Sequence, residues 1–82
     1  MLPNTLNDIG QLTHREREVL WHIGKGRVTK EIAFDLDIST ETVANHRKGI
    51  CRKLAIHSTA TLASYGAQHL EVLDDSYCPL KM

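Results

Sequence analysis

Aromatic side chains are scarce in this chain: one Trp, two Tyr and one Phe among 82 residues. The core must therefore be assembled from Leu, Ile, Val and Ala, a set that suits helices better than a sandwich. Cysteine is equally thin. Cys51 and Cys78 have no partner at CxxC spacing, and although two thiols can form one bridge, nothing signals secretion, so a reduced cytoplasmic setting is expected. No run of about eighteen apolar residues occurs, and Met1–Gly10 lacks both a basic n-region and an apolar h-region, so neither a membrane span nor export is expected. Repeats and low-complexity tracts are absent. The five His, two Cys and ten acids never fall at a metal-ligand or nucleophile–base spacing, and no Gly-rich phosphate loop is present. An enzyme is set aside on those grounds, and no metal, cofactor or small-molecule ligand is expected. A net charge is missing too, since ten Lys and Arg balance ten Asp and Glu.

That balance conceals a basic segment. His46–His57 holds four cations, Arg47, Lys48, Arg52 and Lys53, and no acid, which leaves six basic against ten acidic residues elsewhere, a net of −4. It lies within Ser39–Leu54, S-T-E-T-V-A-N-H-R-K-G-I-C-R-K-L, where Ser39 is suited to cap the first turn and the rest to propagate a helix of about four turns. Successive residues at 100° put Val43, His46, Arg47, Ile50 and Leu54 on one side and Glu41, Ala44, Asn45, Lys48 and Arg52 on the other. The second group offers a small residue, an amide that can bond an adenine edge twice, and cations that reach guanine or phosphate, a set suited to a major groove. A solvated helix face carries similar residues, so the segment alone leaves both readings open. On the inner edge, His46 is expected to pack and donate to a backbone carbonyl, with phosphate contact as the alternative, and Arg47 to lay its stem on the core and send its guanidinium outward. Gly49 weakens the helix by about 1 kcal/mol relative to Ala; close approach to a backbone or phosphate is its expected reason.

The remaining chain reads as support. Met1–Gly10, with Pro3, Asp8 and Gly10 and no sustained period, is expected to be a flexible arm or linker. Thr13-His14-Arg15-Glu16 is a capping box that opens a first helix. Leu12, Val19, Leu20 and Ile23 recur at helical spacing, Arg15, Arg17 and Glu18 are left to water, Trp21 is half-buried, His14 and His22 lie at the surface or its boundary, and Gly24 and Gly26 mark the stop. Thr29 is expected to cap a second helix, Lys30–Leu36, with Ile32, Ala33 and Leu36 inward. A tight Asp37-Ile38-Ser39 turn leads to the basic helix, which completes a helix-turn-helix pattern. Ser58 caps a fourth helix to about Leu70 or Leu73, with an apolar stripe of Leu62, Tyr65, Gly66, His69, Leu70 and Leu73. Ala60, Ala63 and Ala67 form a second face, there either to pair with a twin molecule or simply for helix propensity. From Asp74 an acidic, Pro-containing tail is expected to lack structure, with Cys78 incidental in it. The reading is all-α: an arm over 1–10, a helix-turn-helix domain over 11–73 and a flexible tail over 74–82.

Four runs in order, L-T-H-R-E-R-E-V-L (12–20), K-E-I-A-F-D-L (30–36), I-S-T-E-T-V-A-N-H-R (38–47) and I-C-R-K-L (50–54), resemble the LuxR-type (GerE-like) helix-turn-helix domain of bacterial transcription regulators. The resemblance covers about Gln11–Leu70. It implies a compact four-helix domain that binds double-stranded DNA with its third helix in the major groove and pairs as a homodimer through its fourth helix on an inverted repeat. Base-facing positions would then be Ala44, Asn45 and Lys48, and phosphate-facing positions Thr29, Lys30, Thr42, His46 and Arg52. Three residues depart from the pattern: Val28 replaces a capping Ser, Phe34 a polar or basic residue, and Ala44 a common Lys or Arg. If Lys30, Arg47, Arg52 and Lys53 each displace a counterion, the logarithmic salt slope is about −3.6 per domain. The rival reading is a protein-interaction module that docks an acidic partner on the same basic helix.

Overall fold

The first helix starts where its capping box places it. In a computed structural model of the protein, which describes residues 9–71 and 73, the Thr13 hydroxyl accepts from the Glu16 amide at 3.1 Å and the Glu16 carboxylate accepts from the Thr13 amide at 2.9 Å. Four helices follow, α1 (His14–Gly24), α2 (Thr29–Leu36), α3 (Thr40–Leu54) and α4 (Thr59–Gln68), and no strand occurs among the described residues. Ser39 and Ser58 cap α3 and α4 by accepting from the amides three residues on. The cap of α2 differs from expectation. Thr29 lies inside the helix, Val28 occupies the cap position with no oxygen to offer, and Glu31 substitutes by accepting from the Val28 amide at 3.0 Å. That is half a capping box.

Three helices end in one way. The amides of Arg27, Ile38 and Ile56 return to the carbonyls of His22, Ala33 and Cys51, and the residue before each takes positive φ: Gly26 at 87°, Asp37 at 58° and Ala55 at 56°. This is the Schellman closure, in which a left-handed residue lets the chain turn back and satisfy carbonyls that the helix leaves open. It makes the α2–α3 connection short enough for Ile38 to pack against the core.

Val19, Leu20, Ile32, Val43, Ile50, Leu62 and Leu73 are fully buried, so every helix contributes to one core. Each such side chain contributes about 1.5–3 kcal/mol through burial. The α1 helix is the hub, packing on α2, α3 and α4. Its contact with α4 is backbone on backbone. A Cβ on Gly24 would stand 2.5 Å from the Gly66 carbonyl carbon, so Gly24 secures this crossing rather than only marking a helix end. Two other expectations change. Ile9 and Gly10, read as arm, are helical; Ile9 is buried and its carbonyl, with that of Leu12, accepts from the Arg17 guanidinium. His22, read as a surface or boundary residue, is buried against α2, 3.9 Å from the Asp35 carboxylate. The expected arm over 1–8 and tail over 74–82, with Cys78, lie outside the described residues.

Candidate nucleic-acid interface

The α3 helix divides into strips. Val43, Gly49 and Ile50 are buried, whereas Glu41, Asn45, Lys48 and Arg52 are exposed, so the amide and two cations of the sequence reading face water together. Among the described residues none of these three is engaged in a hydrogen bond or ion pair. Ala44 is half-buried at the edge of the strip, beside an open groove of about 540 Å³ that α3 forms with the start of α4. Arg47, Lys48, His57 and Thr59 also line that groove. His57 and Thr59 escaped the sequence reading, although the Ser58 cap directly after the basic helix was the available signal.

Lys30, at the start of α2, is exposed. Beside it the Thr29 hydroxyl accepts from Arg47 Nη1 at 3.0 Å. The guanidinium of Arg47 therefore runs sideways to α2 instead of outward, and it joins two positions expected to meet phosphate. Thr42 is half-buried, and its hydroxyl lies 2.9 Å from the Ser39 hydroxyl within the cap of α3. His46 is half-buried on the α1 side, near enough to Glu16 for the charges to interact.

Lys53 departs furthest from expectation. Its Nζ lies 2.8 Å from Glu16 Oε1 and only 28% of its side chain is exposed, so this cation already has a carboxylate partner. Glu16 itself is buried. Burial works to raise its pKa, but the Lys53 hydrogen bond, the Thr13 amide and the charges of Lys53 and His46 outweigh it, and the carboxyl titrates below its ordinary value. Gly49 finds its reason here: a Cβ at that position would stand 2.5 Å from Glu16 Oε2. The close approach is to an acid of the same chain.

The model of the luxR family of bacterial regulatory proteins (GerE) matches residues 10–65. The chain belongs to this family. Similar proteins include the transcriptional regulatory protein MctR of Rhizobium johnstonii, 47% identical over 58 residues that cover 71% of this chain and 27% of MctR. The nitrate/nitrite response regulator protein NarL of Escherichia coli is 41% identical over 59 residues, 72% of this chain and 27% of NarL. LnrK of Bacillus subtilis, a transcriptional regulatory protein, is 41% identical over 63 residues, 77% of this chain and 29% of LnrK. The LuxR-family chain thus spans less than a third of the length of these relatives. No solved structure matches it significantly. The four helices and the tight α2–α3 turn are those of a LuxR-type helix-turn-helix, a DNA-binding domain of transcription regulation. No helix among the described residues is long and apolar enough to cross a membrane.

The expected dimer residues are unevenly placed. Ala60 and Ala67 are exposed on α4, whereas Ala63 is half-buried and packs against the core. Phe34 on α2 is 86% exposed, as its departure from the family pattern implies.

Proposed function

We propose that this domain binds double-stranded DNA with sequence preference as part of a bacterial transcription regulator, with α3 in the major groove. The observation that carries the proposal is the strip Asn45–Lys48–Arg52, exposed and without partners among the described residues, on a helix otherwise locked into the domain. Asn45 and Lys48 read base edges, with Ala44 offering a methyl to a thymine, and each good contact contributes about 1–3 kcal/mol of discrimination. Lys30, Arg47 and Arg52 meet phosphates, assisted by Thr29, Thr42 and His46. Lys53 is left out of that set because Glu16 occupies it. Three cations give a salt slope near −2.7 per domain, shallower than the four-cation figure. The groove between α3 and α4 accommodates the flanking sugar–phosphate strand.

Two domains pair through α4 at Ala60 and Ala67, with Ala63 supporting from beneath, and the pair reads an inverted repeat. Small residues let two helices approach closely. Selection of binding sites from random duplexes tests the whole reading, because it returns half-site, symmetry and spacing together. A palindromic motif is the expected result. Absence of any sequence preference at moderate salt, with the fold intact, refutes it and favours the module that docks an acidic partner.

A further inference from the structure

The contact between α1 and α3 includes a charged group beside the apolar core. Glu16 Oε1 receives the Thr13 amide at 2.9 Å and Lys53 Nζ at 2.8 Å, while Oε2 stands 2.5 Å from where a Cβ on Gly49 would lie. His46, Gly49 and Lys53 follow one another at three- and four-residue spacing and form a strip that faces Glu16 of α1. Asn45, Lys48 and Arg52 each immediately precede a member of that strip. Any slide or roll of α3 against Glu16 therefore moves the exposed strip by a similar amount.

Glycine inside a helix weakens it, so α3 gains nothing locally from Gly49. What Gly49 provides is clearance. An alanine methyl there would stand about 0.9 Å inside the 3.4 Å at which ordinary contact begins. A mobile carboxylate would swing aside, but this one is buried and held by two donors, which leaves α3 to yield. Recognition groups have to be held within about 0.5 Å of their productive geometry.

We infer that Glu16 is a positioning residue for DNA recognition: its carboxylate draws α3 in through Lys53, stops it at Gly49, and thereby sets the projection of Asn45 and Lys48 into the groove. This rests on the DNA-binding reading above.

The test moves one methylene across the contact. Gly49→Ala adds a carbon on α3, Glu16→Asp withdraws one on α1, and the double variant conserves the volume of the contact. The quantity read is the affinity for the selected duplex divided by that for a duplex changed at the base pair opposite Lys48. A purely structural role alters the folded fraction and weakens both duplexes equally, leaving the ratio unchanged. Each single variant is expected to lower the ratio, Gly49→Ala by about tenfold, the lower range of one good base contact. The double variant is expected to return it to within about threefold of the native protein, a coupling between sites in contact. An unchanged ratio in the folded single variants overturns the inference. Should Gly49→Ala not fold, the other two decide it, since a double variant no better than Glu16→Asp overturns it as well. A native protein without discrimination refutes the DNA-binding reading itself, a distinct outcome.

Discussion

Replacing Lys53 by methionine separates a cation that holds the domain together from the cations proposed to meet DNA. Methionine keeps most of the aliphatic stem, so the principal loss is the charged hydrogen bond to Glu16 at 2.8 Å. Hydrogen bonds to charged groups contribute about 1.5–3 kcal/mol. For a domain of this size each kcal/mol moves Tm by about 4–8 °C, so a loss of about 2 kcal/mol lowers Tm by roughly 12 °C. The salt slope should stay near −2.7, because Lys30, Arg47 and Arg52 remain. Thermal unfolding followed by circular dichroism gives the first quantity, and titration of one duplex across a series of salt concentrations gives the second. A fall in slope magnitude of about 0.9 with Tm unchanged would refute the reasoning. Lys53 would then have abandoned Glu16 for a phosphate.

Three further outcomes are expected. Lys48→Ala should cost about 1–3 kcal/mol on the preferred duplex and relax preference at one position, whereas Arg52→Ala should weaken all duplexes alike and reduce the slope magnitude by about one; competition titrations on matched and mutated sites distinguish them. Gly24→Ala should destabilise the domain by about 1–3 kcal/mol in urea unfolding, because the new methyl meets main-chain atoms of Gly66 and Ala67 that cannot rotate away. The third concerns pH: burial pushes His22 below its ordinary range, with Asp35 and Glu18 opposing and Arg27 adding to the push. The unfolded chain then binds the proton more readily, so this stability is complete above about pH 6.5 and is lost as pH falls through the folded value. The urea midpoint of the native protein should drop more between pH 7 and pH 5 than that of His22→Gln, and parallel curves would contradict the assignment.

Local chemistry was legible in the sequence and tertiary chemistry was not. Ser39, Ser58 and the Thr13–Glu16 box act within three residues of themselves, and each caps its helix as expected. The apolar stripes follow from helical periodicity, and Val43, Ile50, Leu62 and Leu73 are buried accordingly. Glu16 was read only as a cap because its second partner, Lys53, lies 37 positions away and no spacing rule spans that distance. For the same reason the close approach expected at Gly49 is assigned to a backbone or phosphate and not to the Glu16 carboxylate. Nothing local marks His22 as buried, although Glu18 lies one turn earlier on its own helix; Asp35 meets it from α2. Gly24 resembles helix punctuation, and Gly66 one more member of an apolar stripe, until two helices are seen to cross there. At the interface, the exposed placement of Asn45, Lys48 and Arg52 follows from the helical wheel, whereas the internal engagement of Arg47 and Lys53 depends on where α1 and α2 end up.

Asp37 and Ala55, the two non-glycine residues with left-handed backbone among the described residues, stand at either end of α3. That conformation costs a residue with a Cβ roughly 1–2 kcal/mol, yet a glycine at either place would also give the denatured chain more freedom to surrender. The two effects oppose each other in the folding equilibrium. They do not oppose each other in stiffness: with hinge-prone residues excluded from both ends, α3 is held by stiff joints, and in the proposed complex little ordering of these joints remains to be done on contact.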